Sequence, residues 1–145
     1  MTSRDPNHWL LRFSAREWIQ AGLAELRRAT ESFEQRNLRG GHAGALRAAG
    51  MALNGALIVQ PNERWGRSYV DHVRALAQDE SAPAEAREAA RTLLDAPAPG
   101  GPVVLLRTPS TDSRFLEAAR TLMAHAYALV LLHEPEPHEP EENEK

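Results

Sequence analysis

Apolar residues recur at helical spacing along most of this chain. Ser14-Ala15-Arg16-Glu17 has the Ser-x-x-Glu form of a capping box, in which serine accepts from a free amide and glutamate reaches back to the cap. Behind it Ile19, Leu23, Leu26 and Phe33 fall on one stripe, widened by Trp18 and Ala29, while Arg16, Glu25, Arg27, Arg28 and Glu31 fall largely opposite. The pattern predicts a long amphipathic helix over 15–36, closed by Gly40-Gly41. Ahead of it, Trp9-Leu10-Leu11-Arg12-Phe13 reads as a short extra turn packing on the end of a bundle.

The next segment, 42–59, differs in kind. From Ala43 to Val59 it holds one charge, Arg47, and one amide, Asn54. A helix apolar nearly all round is buried on more than one side. Gly44, Ala45, Ala48, Ala49, Gly50, Ala52, Gly55 and Ala56 allow close backbone approach on several faces. Each glycine costs about 1 kcal/mol of helix propensity relative to alanine, so packing has to compensate. The expectation is a central helix that faces its own bundle on one side and a second subunit on the other.

Pro61-Asn62 ends that helix, and a third is predicted over 63–78 with Trp65, Tyr69, Val73 and Leu76 on one face. A break at Asp79–Pro83 precedes an alanine-rich helix over 83–95, with Ala86, Ala90, Leu93 and Leu94 inward. Four prolines and two glycines exclude a helix over 96–110, where Val103–Leu106 forms one short apolar run. The last helix, over 112–133, is capped at Ser110, Thr111 or Asp112 and carries Phe115, Leu116, Ala119, Leu122, Met123, Ala126, Leu129 and Val130. The expected fold is all-α: an antiparallel bundle of four long helices plus one shorter helix, spanning residues 1–133. Residues 134–145, rich in Pro and Glu, read as a disordered acidic tail.

Composition narrows the chemistry. The 145 residues contain no cysteine, which excludes disulfide scaffolds, thiolate metal sites and a cysteine nucleophile. The net charge of −3 divides into about −5 on the tail and about +2 on the remainder, a balance that neither argues for nor excludes a phosphate-rich partner. Lys145 is the sole lysine, which leaves no Walker A motif. There is no G-x-S-x-G and no H-E-x-x-H, and Gly40-Gly41-x-x-Gly44 follows a helix rather than a strand. No cofactor is implied. His133 and His138 lie among glutamates of the tail, where a solvated segment is the simpler reading than a metal site. The polar N-terminus and the lack of a run near about 20 apolar residues give the expectation of a cytoplasmic protein without a membrane partner.

Trp18, Trp65 and Tyr69 fit a base-stacking platform, although their aliphatic neighbours favour core packing. Asn54 reads as a satisfied interface amide that fixes packing register, or as a ligand contact. Gly50, Asn54 and Gly55 are therefore the interface or ligand candidates. Arginine and histidine recur at short spacing in Arg36-x5-His42, Arg67-x4-His72 and Arg120-x4-His125. With sixteen arginines in the chain, such spacing carries little weight alone.

A long first helix, the small-residue pattern Ala43-x-x-Leu46-x-x-Ala49-Gly50-x-Ala52-Leu53-Asn54-x-Ala56-Leu57, and Arg120-x4-His125 in the final helix together resemble the HEPN superfamily of small helical bundles, over residues 14–133. The resemblance implies a dimer of four- or five-helix bundles. Some members accompany minimal nucleotidyltransferases, and some are metal-independent ribonucleases that use an R-x4-6-H motif in the last helix. That motif maps onto Arg120 and His125. Thr121 departs from the Asn, Asp or His that often follows the arginine in the nucleases.

The resulting expectation is a non-catalytic helical module that homodimerises and binds a partner protein or nucleotide-bearing ligand, with a nucleotidyltransferase or antitoxin as the candidate partner. The competing reading is a toxin-like endoribonuclease acting on RNA through Arg120 and His125, and a third is a structural helical adaptor. Five helical positions separate Arg120 from His125, about 140° around the axis and about 7.5 Å along it. A shared phosphate then requires a cleft, formed across a dimer.

Overall fold

The structure, a computed structural model, describes residues 9–62, 65–66, 68–95 and 109–133. Within them the chain is helical throughout. A 3-10 turn, Trp9–Arg12, leads into α1 (Ala15–Glu34), α2 (Leu38–Val59), α3 (Tyr69–Ala77), α4 (Ala84–Leu94) and α5 (Pro109–His133). Three helices are long and two short, where four long and one short were expected. The Val103–Leu106 run and the acidic tail lie outside the described residues.

The capping box forms as read. Ser14 Oγ accepts from the Glu17 amide at 3.1 Å, and Glu17 Oε1 accepts from the Ser14 amide at 2.8 Å. The close of α1 differs. Arg36 takes the left-handed turn at φ 65°, Asn37 caps α2, and its Oδ1 accepts from the Gly40 amide at 2.9 Å. Gly40 and Gly41 thus sit inside the first turn of α2 instead of between helices. Gly41 is needed there because a Cβ would lie 2.6 Å from the Phe33 ring. Bare backbone lets the two helices meet at once after the turn.

α3 begins only at Tyr69, with Ser68 Oγ accepting from the Asp71 amide, so Trp65 precedes the helix and does not share its face. α5 begins at Pro109, inside the stretch expected to be non-helical. A proline in the first turn lacks an N–H that would have no helical partner anyway, and its fixed φ suits the helix. α4 follows Pro83, which stands at its cap position without a side-chain hydrogen bond.

α2 is the centre of the molecule, packed on α1, α3, α4 and α5. Its contacts with α1 run in opposite directions along the two helices: a Cβ at Gly44 would meet Ala29, and one at Gly55 would lie 2.6 Å from the Ala15 carbonyl oxygen. Ala45, Ala48, Ala49, Ala52 and Leu53 are fully buried. Phe115, Ala119, Leu122, Ala126 and Val130 bring α5 into the same core. A smaller cluster of Leu10, Trp18 and Leu57 closes one end, and Trp18 Nε1 donates to the Leu10 carbonyl at 2.8 Å. The N-terminal turn therefore packs on the bundle end as expected.

One feature of α5 departs from expectation. Ser113–His133 is long and apolar enough to cross a membrane, with mean hydropathy 1.3. A core helix has the same composition, and the residues of α5 just named are buried against α2 and its neighbours.

Candidate functional site

Arg120 and His125 lie on α5 but open onto different grooves. Arg120 is exposed, and its Nη1 donates to Glu117 Oε2 at 3.3 Å, one turn earlier. It borders a groove of about 700 Å³ between α1 and α5, lined by Arg16, Ile19, Leu23, Met123 and Tyr127 among others. His125 is half-buried on the other flank. It borders a groove of about 830 Å³ where the C-terminal ends of α2 and α3 meet the Asp79–Ala82 turn, with Trp65 and Leu129 also in the wall. The angular offset read from the sequence thus places the pair in two grooves, and within one protomer they share no phosphate site.

Electrostatics differ between the two. Burial pushes the His125 imidazole below its ordinary pKa, and the nearby Asp79 carboxylate opposes part of that shift. Asp79 is itself engaged: its Oδ1 accepts from the Ser81 amide at 2.9 Å and from Ser81 Oγ at 2.6 Å. That arrangement holds the α3–α4 turn in place beneath His125.

The other arginine–histidine pairs serve packing where they are described. The His42 ring lies 5.4 Å from Phe33 and 4.2 Å from Phe115, between α1 and α5, whereas Arg36 is exposed at the turn. Arg67 lies outside the described residues. His72 is fully buried. Its Nε2 is 3.0 Å from the Gly66 carbonyl, which only accepts, so the proton belongs on Nε2. The ring stacks on Trp9 at 6.1 Å and lies 6.2 Å from Trp65. Its Nδ1 is buried with no hydrogen-bond partner among the described residues. Burial dominates here too and lowers the pKa, against smaller opposing effects of the Gly66 carbonyl and Asp71.

Gly50, Asn54 and Gly55 all lie inside the protomer. A Cβ at Gly50 would lie 2.4 Å from Tyr69 Cβ, so this glycine admits α3, as Gly55 admits α1. Asn54 is fully buried, and neither Oδ1 nor Nδ2 has a hydrogen-bond partner among the described residues, where a satisfied amide was expected. On α2 it stands one turn from Gly50 and one turn from Leu57 and Ile58, residues that touch α3 and the tryptophan cluster.

The three aromatics serve packing. Trp18 is core, Tyr69 packs on Gly50, and Trp65 packs against the cluster of Leu10, Trp18 and Leu57 and reaches the wall of the His125 groove. His72 entered the sequence reading only through its spacing from Arg67, although its place between Tyr69, Val73 and Leu76 signalled the inward side of α3. Glu25 was assigned to the polar side, yet it is buried and bridges two helices. No group of three or more metal-ligating side chains occurs among the described residues. Comparison with family models, with curated proteins and with solved structures finds no match.

Proposed function

We propose that this chain is a non-catalytic helical module of HEPN-like character, an antiparallel bundle that pairs with a second copy and binds a partner protein or a nucleotide-bearing ligand. The observation that carries the non-catalytic reading is the division of Arg120 and His125 between two grooves. Phosphoryl transfer to a ribose 2′-hydroxyl needs a charge-stabilising group and a general acid or base at one phosphate. A single protomer offers them at two places. The His125 groove, with an indole in its wall and polar side chains along its rim, is the candidate ligand site, and a nucleotidyltransferase or antitoxin remains the candidate partner.

The endoribonuclease reading requires Arg120 of one copy to meet His125 of another. Two measurements separate the readings. Light scattering on the full chain is expected to give twice the 16.0 kDa protomer mass at micromolar concentration; a protomer mass there overturns the pairing. Incubation with single-stranded and structured RNA in EDTA is expected to give no cleavage from wild type or His125→Ala. Cleavage by wild type that vanishes in a folded His125→Ala variant overturns the non-catalytic reading.

A further inference from the structure

Resting on the reading that the chain pairs with itself, we propose that the docking face is the outer side of α1 around Leu23, together with the groove between α1 and α5. The expected face, α2, is enclosed by the chain's own helices. Leu23, by contrast, is 45% exposed on an otherwise polar surface, and Tyr127 beside it is 37% exposed. Between them the groove has an apolar floor of Ile19, Leu26 and Met123.

The charges along α1 say what covers this face. Arg16, Gln20, Leu23, Arg27 and Glu31 follow one another at spacings of three and four, and form one continuous outer stripe. Two such stripes laid antiparallel about a two-fold axis beside Leu23 bring together residues whose numbers sum to 46 or 47. Leu23 then meets Leu23 of the second copy, Gln20 meets its Arg27, and Arg16 meets its Glu31. Symmetry repeats each polar pair, so an apolar centre is flanked on both sides by an arginine–glutamate pair and an arginine–glutamine pair. A parallel pairing would oppose arginine to arginine. Arg27 and Glu31 are exposed and make no ion pair among the described residues. The stripe is thus complementary to its own reverse, which favours this one register over others.

The absence of cysteine makes a direct test available. In the full chain, Leu23→Cys is expected to give a covalent dimer on mild oxidation or with a short bis-maleimide. Glu88→Cys, on the exposed side of α4, serves as the control and is expected to cross-link at least tenfold more slowly. Arg16→Glu is expected to weaken dimerisation about tenfold, and Arg16→Glu with Glu31→Arg to restore it to near wild type. Unchanged circular dichroism in each variant excludes unfolding as the cause. A wild-type dimer in which position 23 cross-links no faster than position 88 overturns this face while leaving the pairing intact. Cross-linking at 23 without rescue by the charge swap overturns the antiparallel register. A wild-type protomer mass at all concentrations overturns both the face and the pairing.

Discussion

Arg47 of α2 donates through Nε to Glu25 Oε1 on α1 at 3.1 Å, while Arg28 Nη1 donates to the other carboxylate oxygen at 2.8 Å. The carboxylate is buried and both guanidinium groups reach water. Removal of Glu25 therefore leaves two arginines without their shared carboxylate at a helix interface. Glu25→Ala is expected to lower unfolding free energy by about 1–3 kcal/mol. A double-mutant cycle with Arg47→Ala, read by urea unfolding, should give a coupling of about 1 kcal/mol, because Arg47 remains partly solvated. A coupling near zero would mean that the bridge contributes only packing.

His72 makes stability depend on pH in a direction that its surroundings dictate. Burial lowers its folded pKa below the ordinary 6.5, so the unfolded chain binds the proton more tightly. The contribution is full above pH 6.5 and is lost as pH falls from there through the lower folded pKa. Protonation would also place an N–H on Nδ1, which has no hydrogen-bond partner among the described residues. The melting temperature should fall between pH 7.5 and pH 5 in wild type, and fall less in His72→Gln. His125, whose pKa burial also lowers, adds a loss of the same sign. Equal slopes for wild type and variant would remove His72 from the account.

The glycines of α2 are set by their neighbours. Gly55→Ala drives a methyl to 2.6 Å from the Ala15 carbonyl, a backbone atom that moves only with α1. Its expected cost is about 1–3 kcal/mol, despite the gain in helix propensity. Gly50→Ala meets Tyr69 Cβ at 2.4 Å and should loosen α3. Chemical denaturation of both variants checks this, and a stabilised Gly55→Ala would refute the contact.

Asn54 is a buried amide with no hydrogen-bond partner among the described residues. An unsatisfied buried amide costs about 1–3 kcal/mol, so Asn54→Ala should leave stability unchanged or raise it by about 1 kcal/mol. Asn54→Asp, which buries a charge at the same place, should destabilise strongly. A marked loss of stability in Asn54→Ala would show that the amide has a partner in solution.

The stripes of α1 and α5 were legible because each has a single buried face and so keeps its period in the sequence. The boundaries at Gly40-Gly41 and Pro109 were not. In both places a residue that ordinarily ends a helix lies in a first turn, where its missing side chain or missing N–H is tolerated. Trp65 was misplaced because an apolar residue beside a helix continues the pattern whether or not the backbone turns with it. The separation of Arg120 from His125 was readable from helical geometry alone. Which grooves they border was not, since that depends on where α1 and the α3–α4 turn pack. Glu25 shows the converse: a charge on a polar stripe reads as solvated until a second helix brings an arginine to cover it.

The crowding of small residues in α2 also bears on how the chain reaches its fold. Residues 38–59 contain five glycines, each costing about 1 kcal/mol of helix propensity against alanine, and these offset the alanines and leucines between them, so the isolated segment should be largely unstructured in water. A peptide of that sequence should show a coil spectrum. The helix would then form together with its docking onto α1, across a turn of three residues (35–37). Such closely spaced contacts cost little loop entropy, which makes the α1–α2 hairpin the natural place for folding to begin. On that view the most central helix of the native protein is also the one least able to exist before its neighbour has arrived.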